Sequence, residues 1–257
     1  MKDLLRQISV LLTVLAAILV NVLANALPLN GLNTGEISDR FRVYFVPAGY
    51  VFSIWGLIYI GLIALAVFQA LPAQRENPRL RATGWWVSLG SLANLAWIFL
   101  WHYEQFPLTL AAMLILLGSL MLVYLRLGIG RVQVSSMEEF AVRLPVRIYL
   151  GWITVATVAN VTAVLDYLKW DGFGISPEVW MMIILGAVLL IGALMNFTRG
   201  DIAYAAVLLW ALAGIAVKHA GAPMVVIPTW IAFAGVAITL VLAFIQQRRA
   251  MRGRSVA

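Results

Sequence analysis

The sequence predicts an all-α fold, a polytopic membrane bundle of about eight transmembrane helices. Hydrophobic residues make up 63% of the 257 residues and charged residues only 11%, less than half of the roughly 25% usual in soluble domains. The mean hydropathy is +0.95, and apolar runs recur that approach the roughly 20 residues needed to cross a bilayer. These observations exclude a water-soluble domain. The chain has no cysteine, which also excludes a disulfide framework and a thiolate metal site.

Eight apolar runs, each bounded by charge, Pro or Gly, are predicted to form the helices. The seventh is short, but charged residues on both of its flanks favour a crossing rather than a re-entrant dip. The runs cover residues 8 to 27, 46 to 71, 84 to 101, 107 to 125, 147 to 166, 178 to 197, 202 to 217 and 224 to 246.

The first run also has features of a secretory signal peptide. Basic residues precede it, and the triplet Ala24-Asn25-Ala26 is typical of a cleavage site. Asn21 and Asn25 fall inside the run and no soluble domain follows it, which favours a retained helix. Cleavage would leave seven helices.

Basic residues are concentrated in alternate loops, and such loops are retained on the cytoplasmic side. Most of the 18 Lys and Arg residues fall on the side that carries both termini, so both termini are predicted to be cytoplasmic, in the inner (plasma) membrane of a bacterium. Anionic lipid headgroups account for a basic face, so the net charge of +7 indicates membrane lipids as partners and no nucleic acid. The basic segments are Lys2 and Arg6, the 72 to 83 loop, the 126 to 146 loop, Arg199, and the tail with Arg248, Arg249, Arg252 and Arg254.

Two loops carry further information. The loop from Pro28 to Tyr44 combines turn formers with Leu, Ile, Phe and Tyr, which fits an extracytoplasmic cap and, equally well, an ordinary connection. Ser136 and Glu139 have the spacing of a capping box, so Ser136 is expected to start the fifth helix before it enters the lipid.

The sequence carries no recognisable catalytic or metal-binding motif. His102 and His219 lie at helix ends, and no residues around them have the spacing of metal ligands. His102 is interpreted as one of several amphipathic side chains with solvated tips at the membrane–water interface. The spans hold no carboxylate pair, and Asp166 is placed at an interface. We therefore expect no enzyme, no metal and no required cofactor.

Aromatic and amide side chains recur at helical spacing inside the second, third and fifth spans. An amide that faced lipid would lose hydrogen bonds worth some kcal/mol, so these side chains should face protein or a cavity. Flat aromatic walls and amide groups suit a flat hydrophobic ligand with a polar edge. Helix packing uses the same residue types, and spacing alone leaves both interpretations open. The stripes are Trp55 and Tyr59; Asn94 and Trp97; and Tyr149, Trp152, Ala156 and Asn160.

At these residues the sequence resembles the tryptophan-rich sensory protein family, also called the translocator protein or TspO/MBR family and formerly peripheral-type benzodiazepine receptors. The three matching segments occur in the family's order, on the second, third and fifth helices. They are Val46-Pro-Ala-Gly-Tyr-Val-Phe-Ser-Ile-Trp-Gly-Leu-Ile-Tyr59, Asn94-Leu-Ala-Trp97, and Tyr149 to Asn160, which matches Tyr-x-x-Trp-x-x-x-Ala-x-x-x-Asn.

The resemblance implies a five-helix membrane core over residues 1–166 that encloses a pocket for a porphyrin or another tetrapyrrole. Residues 167–257 would add a three-helix C-terminal extension with a basic cytoplasmic tail. Ala48, Tyr50 and Ile148 depart from the family's motifs, which bears on the identity of the ligand. The implied ligand-binding residues are Trp55, Asn94, Trp97, Trp152 and Ala156, supported by Tyr59, Tyr149 and Asn160.

The predicted function is therefore ligand binding for sensing or transport, with a hydrophobic small molecule as partner. The alternative is a permease-like transporter of a small lipophilic solute that uses all eight helices. The sequence leaves self-association into a homo-oligomer open.

Overall fold

The computed structural model of the chain describes residues 1–27 and 29–254. Pro28, the first residue of the predicted cap, lies outside the described residues, as do the side chains of the tail residues Arg252 and Arg254.

Over residues 1–27 and 29–254 the chain is all-helical, without strands, which confirms the predicted fold class. A helix occupies each of the eight predicted runs. Six helices in this part of the chain are long and apolar enough to cross a membrane. The others are the helix at Pro78–His102 and the shorter apolar helix at Ile202–Lys218. The helices are α1 Lys2–Ala26, α2 Thr34–Ser38, α3 Ile54–Ala70, α4 Pro78–His102, α5 Phe106–Arg126, α6 Ser136–Tyr167, α7 Pro177–Arg199, α8 Ile202–Lys218 and α9 Pro223–Arg254.

Helix α6 begins earlier than its apolar run. The predicted cap at Ser136 is wrong by one residue: the Ser135 hydroxyl accepts a hydrogen bond from the Glu138 N–H at 3.2 Å, so Ser135 is the N-cap. A π-helical turn at Glu139–Arg143 follows. Pro145 has no N–H and its ring would crowd the carbonyl four residues earlier, and the wider turn accommodates it.

The chain divides into two compact units. The N-terminal unit contains Met1–Val43 and Phe52–Trp170. The C-terminal unit contains Tyr44–Val51 and the chain from Asp171 onwards.

Five long helices of the N-terminal unit close into a ring. Helix α4 packs between α1 and α5, α5 packs against α6, and α3 closes the ring by packing against both α6 and α1. One end of the ring is fastened by Arg79 of α4, whose guanidinium donates two hydrogen bonds of 2.6 and 2.7 Å to the buried carboxylate of Glu138. The inward faces of these helices form the core in which the candidate site lies.

The C-terminal unit consists of α7, α8, α9 and the segment 44–51. Helix α9 packs against α7 and α8, and Asn196 of α7 donates a hydrogen bond to Thr239 of α9 at 2.9 Å. The segment lies on α8, where the Ala48 N–H donates to the Gly214 carbonyl at 3.1 Å.

Candidate functional site

A chain of hydrogen bonds crosses the N-terminal unit at the level of Asn94. The Asn21 amide donates to Oδ1 of Asn94 at 2.6 Å, and the Asn94 amide donates to the Tyr149 hydroxyl at 3.0 Å. All three side chains are buried. These bonds link α1, α4 and α6, and they satisfy polar groups that would be costly to leave unpaired in an apolar core.

Aromatic rings surround the Tyr149 end of this chain. Trp55 stacks on Tyr59 of the same helix, with ring centroids 5.5 Å apart. Its indole meets Tyr149 at 6.0 Å and Trp152 at 6.2 Å, both edge to face. Phe52 also packs edge to face on Trp152, with ring centroids 5.8 Å apart. The three helices α3, α4 and α6 thus supply one cluster of flat rings with an amide at its edge.

A second group of hydrogen-bonded side chains lies further along α4 and α6. The Trp97 indole N–H donates to Oδ1 of Asn160 at 3.2 Å, and the Asn160 amide donates to the Thr109 hydroxyl at 2.8 Å. The Trp97 ring stacks on Trp101 with centroids 5.2 Å apart. This group links α4, α5 and α6.

The structure therefore divides the predicted site residues between two neighbouring groups. The first contains Trp55, Tyr59, Asn94, Tyr149 and Trp152, and the second contains Trp97 and Asn160. Ala156 is half-buried on α6, between Trp152 and Asn160 in the sequence. That these residues bind a ligand stays a prediction.

The Trp152 indole differs from the other polar groups of the cluster. Trp152 is only 2% exposed, yet its Nε1–H has no hydrogen-bond acceptor. Buried indole N–H groups usually find a partner. Trp55, Tyr59 and Ala156 on the adjoining faces are half-buried rather than fully enclosed.

Residues 29–43 cover one end of α4. His102 is only 1% exposed, and its ring nitrogens lie 3.0 Å from the Leu29 carbonyl and 3.1 Å from the Thr34 hydroxyl. The interpretation of His102 as a solvated side chain at the membrane–water interface is therefore wrong. Its buried ring holds residues 29–43 on α4 by hydrogen bonds. The Trp101 indole also donates to the Thr34 carbonyl at 3.2 Å.

An ion pair holds the outer part of the same segment. The Arg40 guanidinium donates to the Glu104 carboxylate at 2.5 Å. This hydrogen bond lowers the pKa of Glu104 and raises the pKa of Arg40. Both side chains are about half exposed, so the pair contributes little to stability.

Sequence reasoning missed Asn21, Thr109 and the bonded role of His102. Asn21 has the same feature as Asn94 and Asn160, because it is an amide inside an apolar run. That feature favoured a retained first helix, and it also indicates a buried hydrogen bond. Thr109 had no distinguishing signal, because isolated threonines are common in apolar helices. Across residues 1–27 and 29–254, no three His, Cys, Asp or Glu side chains are grouped so that they could hold a metal ion.

The fold and the buried cluster define a class of protein: an integral membrane protein of several apolar helices with aromatic and amide side chains grouped inside the bundle. A family model described as TSPO-like protein matches residues 7–245, and the chain belongs to this family. The match continues beyond the last motif, which ends at Asn160, and includes most of the C-terminal helices. We found no matching protein among curated sequences and no matching chain among solved structures.

Proposed function

We propose that this protein binds a flat hydrophobic molecule with a polar edge, of the porphyrin or tetrapyrrole kind, at the cluster around Trp55 and Trp152. The observation that carries the proposal is the buried Trp152 N–H without an acceptor, in the same cluster as the hydrogen-bonded side chains of Asn94 and Tyr149. A carboxylate or carbonyl oxygen on the ligand would supply that acceptor. Membership of the TSPO-like family supports the assignment.

The aromatic groups are suited to such a ligand. Trp55, Tyr59 and Trp152 present ring faces and edges on adjoining helices, and flat ligands stack on such surfaces. Trp55 and Tyr59 are half-buried, so a ligand can gain contact area by covering them. Binding of this kind needs no cofactor and no covalent step, and it serves sensing or transport rather than catalysis.

We place the protein in the inner (plasma) membrane of a bacterium with both termini in the cytoplasm, on the distribution of Lys and Arg among the loops.

The test is a titration of the purified full-length protein in detergent with protoporphyrin IX, followed by quenching of tryptophan fluorescence. Trp152→Phe keeps an aromatic ring but removes the N–H. We expect saturable quenching of the wild type and a dissociation constant roughly tenfold higher for Trp152→Phe, since one hydrogen bond is worth about 1.4 kcal/mol.

The matched control is Trp230→Phe, because Trp230 lies in α9, outside the cluster, and is 44% exposed. It should bind like the wild type. Equal affinities of all three proteins would remove Trp152 from the site, and non-saturating quenching of the wild type would reject tetrapyrrole binding altogether.

A further inference from the structure

A small cavity lies inside the N-terminal unit at the end where α1 begins, away from the aromatic cluster. It has room for about one water molecule. Most of its wall is Val and Leu, but three polar side chains reach it: Arg6 of α1, Gln69 of α3 and Thr83 of α4. Buried arginines are rare unless paired, so the bonding of Arg6 decides what the cavity contains.

Arg6 is only 2% exposed, and its guanidinium is partly satisfied by backbone. The two terminal nitrogens donate to the Leu80 carbonyl and to the Arg75 carbonyl, each at 2.9 Å. The third nitrogen, Nε, has no acceptor for its N–H. The Asp3 carboxylate is 3.8 Å from Nε, which is too far for a hydrogen bond.

Gln69 leaves the complementary group unpaired. It is also only 2% exposed, and its amide nitrogen donates to the Gln7 carbonyl at 3.0 Å and to the Ala66 carbonyl at 3.2 Å. Its Oε1 accepts no hydrogen bond. The same cavity is therefore lined by a residue with an unpaired donor and a residue with an unpaired acceptor.

We propose that this cavity is a binding site for one ordered water molecule, which accepts a hydrogen bond from the Arg6 Nε–H and donates one to Oε1 of Gln69. Thr83 provides a third partner: its hydroxyl proton is donated to the Arg79 carbonyl at 2.8 Å, so its oxygen is free to accept the second water proton. Buried waters make about three hydrogen bonds of this kind.

A halide ion of similar size is the competing ligand, since the guanidinium is positively charged. An anion, however, accepts hydrogen bonds only, and it would face the unpaired oxygen of Gln69. Water matches both the donor and the acceptor, and it connects α1, α3 and α4 through one molecule.

The experiment is proton-detected solid-state NMR of the full chain in lipid bilayers, with arginine labelled with ¹⁵N and transfer measured from water to the Arg6 Nε–H. The cavity is filled by Val123→Ile or Val87→Ile, which add one methyl group from two different walls. Val67→Ile is the matched control, because it adds the same methyl group to α3 at an exposed position outside the cavity lining.

We expect water transfer to the Arg6 Nε–H in the wild type and in Val67→Ile, unchanged when chloride is replaced by sulfate. Each filling variant should lose this transfer and melt at a lower temperature, because the methyl group displaces the water and leaves both polar groups unpaired. Absence of the transfer in the wild type would overturn the proposal. So would a filling variant that melts at a higher temperature, which is the response of a dry cavity, or an Nε shift that follows the halide.

Discussion

Amide side chains inside apolar helices act here as connectors between helices. Asn94 accepts from Asn21 and donates to Tyr149, and Asn160 accepts from Trp97 and donates to Thr109. An amide offers donors at one end and an acceptor at the other, so a single side chain can join two neighbouring helices to its own. Asn94 and Asn160 together therefore fix the relative register of α4, α5 and α6.

Replacing Asn160 by Leu should lower the free energy of unfolding by about 1–3 kcal/mol. The change removes both hydrogen bonds of Asn160 and leaves the Trp97 N–H without its acceptor. Interhelical hydrogen bonds in membranes average about 0.6 kcal/mol each. A buried N–H without an acceptor adds a further cost. Thermal unfolding in detergent micelles measures the effect. Thr157→Val is the control on the same helix, because the Thr157 hydroxyl bonds only to the Ile153 carbonyl of its own helix. Equal melting temperatures for Asn160→Leu and the wild type would contradict this role.

At this scale the sequence predicted that Asn94, Trp97 and Asn160 are buried, but not which groups they bond to. The spacing of Asn94 and Trp97 along one helix face follows from a period of 3.6 residues, and both are buried. The partnership of Asn94 with Asn21 depends on the packing of α1 against α4, and no period within one helix encodes that. The unpaired N–H of Trp152 could not be predicted either, because it too depends on how neighbouring helices pack.

At the scale of elements, the segment 44–51 is bonded to two helices of the C-terminal unit, α7 and α8. The Trp210 indole donates to the Val51 carbonyl at 3.1 Å, and its ring packs edge to face on Tyr50 at 5.4 Å. The Tyr44 hydroxyl donates to Glu178 at 2.8 Å, a hydrogen bond that raises the pKa of Tyr44. Apolar periodicity predicted a helix from residue 46, but α3 begins at Ile54 after a 3-10 turn at Gly49–Ser53. The Tyr44 hydroxyl and the Ala48 N–H bond to α7 and α8 instead of to an adjoining turn of a longer α3.

Gly214 permits this contact, and Gly214→Ala should disrupt it. A Cβ at position 214 would overlap Cγ2 of Val51 and press against Pro47, so the segment must move away from α8 at a cost of about 1–3 kcal/mol. Hydrogen exchange of the amides at 46–51, in particular the Ala48 N–H, should speed up in the variant.

Gly186→Ala is the opposite case within the same unit. A Cβ there meets nothing within 4 Å, so the substitution should be neutral or should stabilise α7 by up to about 1 kcal/mol. Unchanged exchange at 46–51 in Gly214→Ala, or equal melting temperatures for the two glycine variants, would show that the segment is not held at Gly214.

For the whole molecule, composition and hydropathy were sufficient to predict the fold class. The eight apolar runs all became helices, because a membrane requires every backbone polar group to be satisfied within its own segment. The extent of the family match was not predicted: the motifs end near residue 160, whereas the family model continues to residue 245. The C-terminal helices carry few polar side chains, so their sequence contains no motif that indicates the family.

The predicted orientation can be tested cleanly because the chain has no cysteine, so each introduced cysteine is the only one present. Glu76 and Val132 lie in basic loops and should face the cytoplasm, whereas Gln105 and Ala220 should face the other side; all four positions are exposed. In intact cells, a membrane-impermeant maleimide should label Gln105→Cys and Ala220→Cys but neither Glu76→Cys nor Val132→Cys, and permeabilised cells should show all four labelled. The reverse pattern would invert the topology. Labelling of Gln105→Cys without Ala220→Cys would instead place the loop after α8 on the cytoplasmic side, which requires that α8 does not cross and that the count of spans is seven.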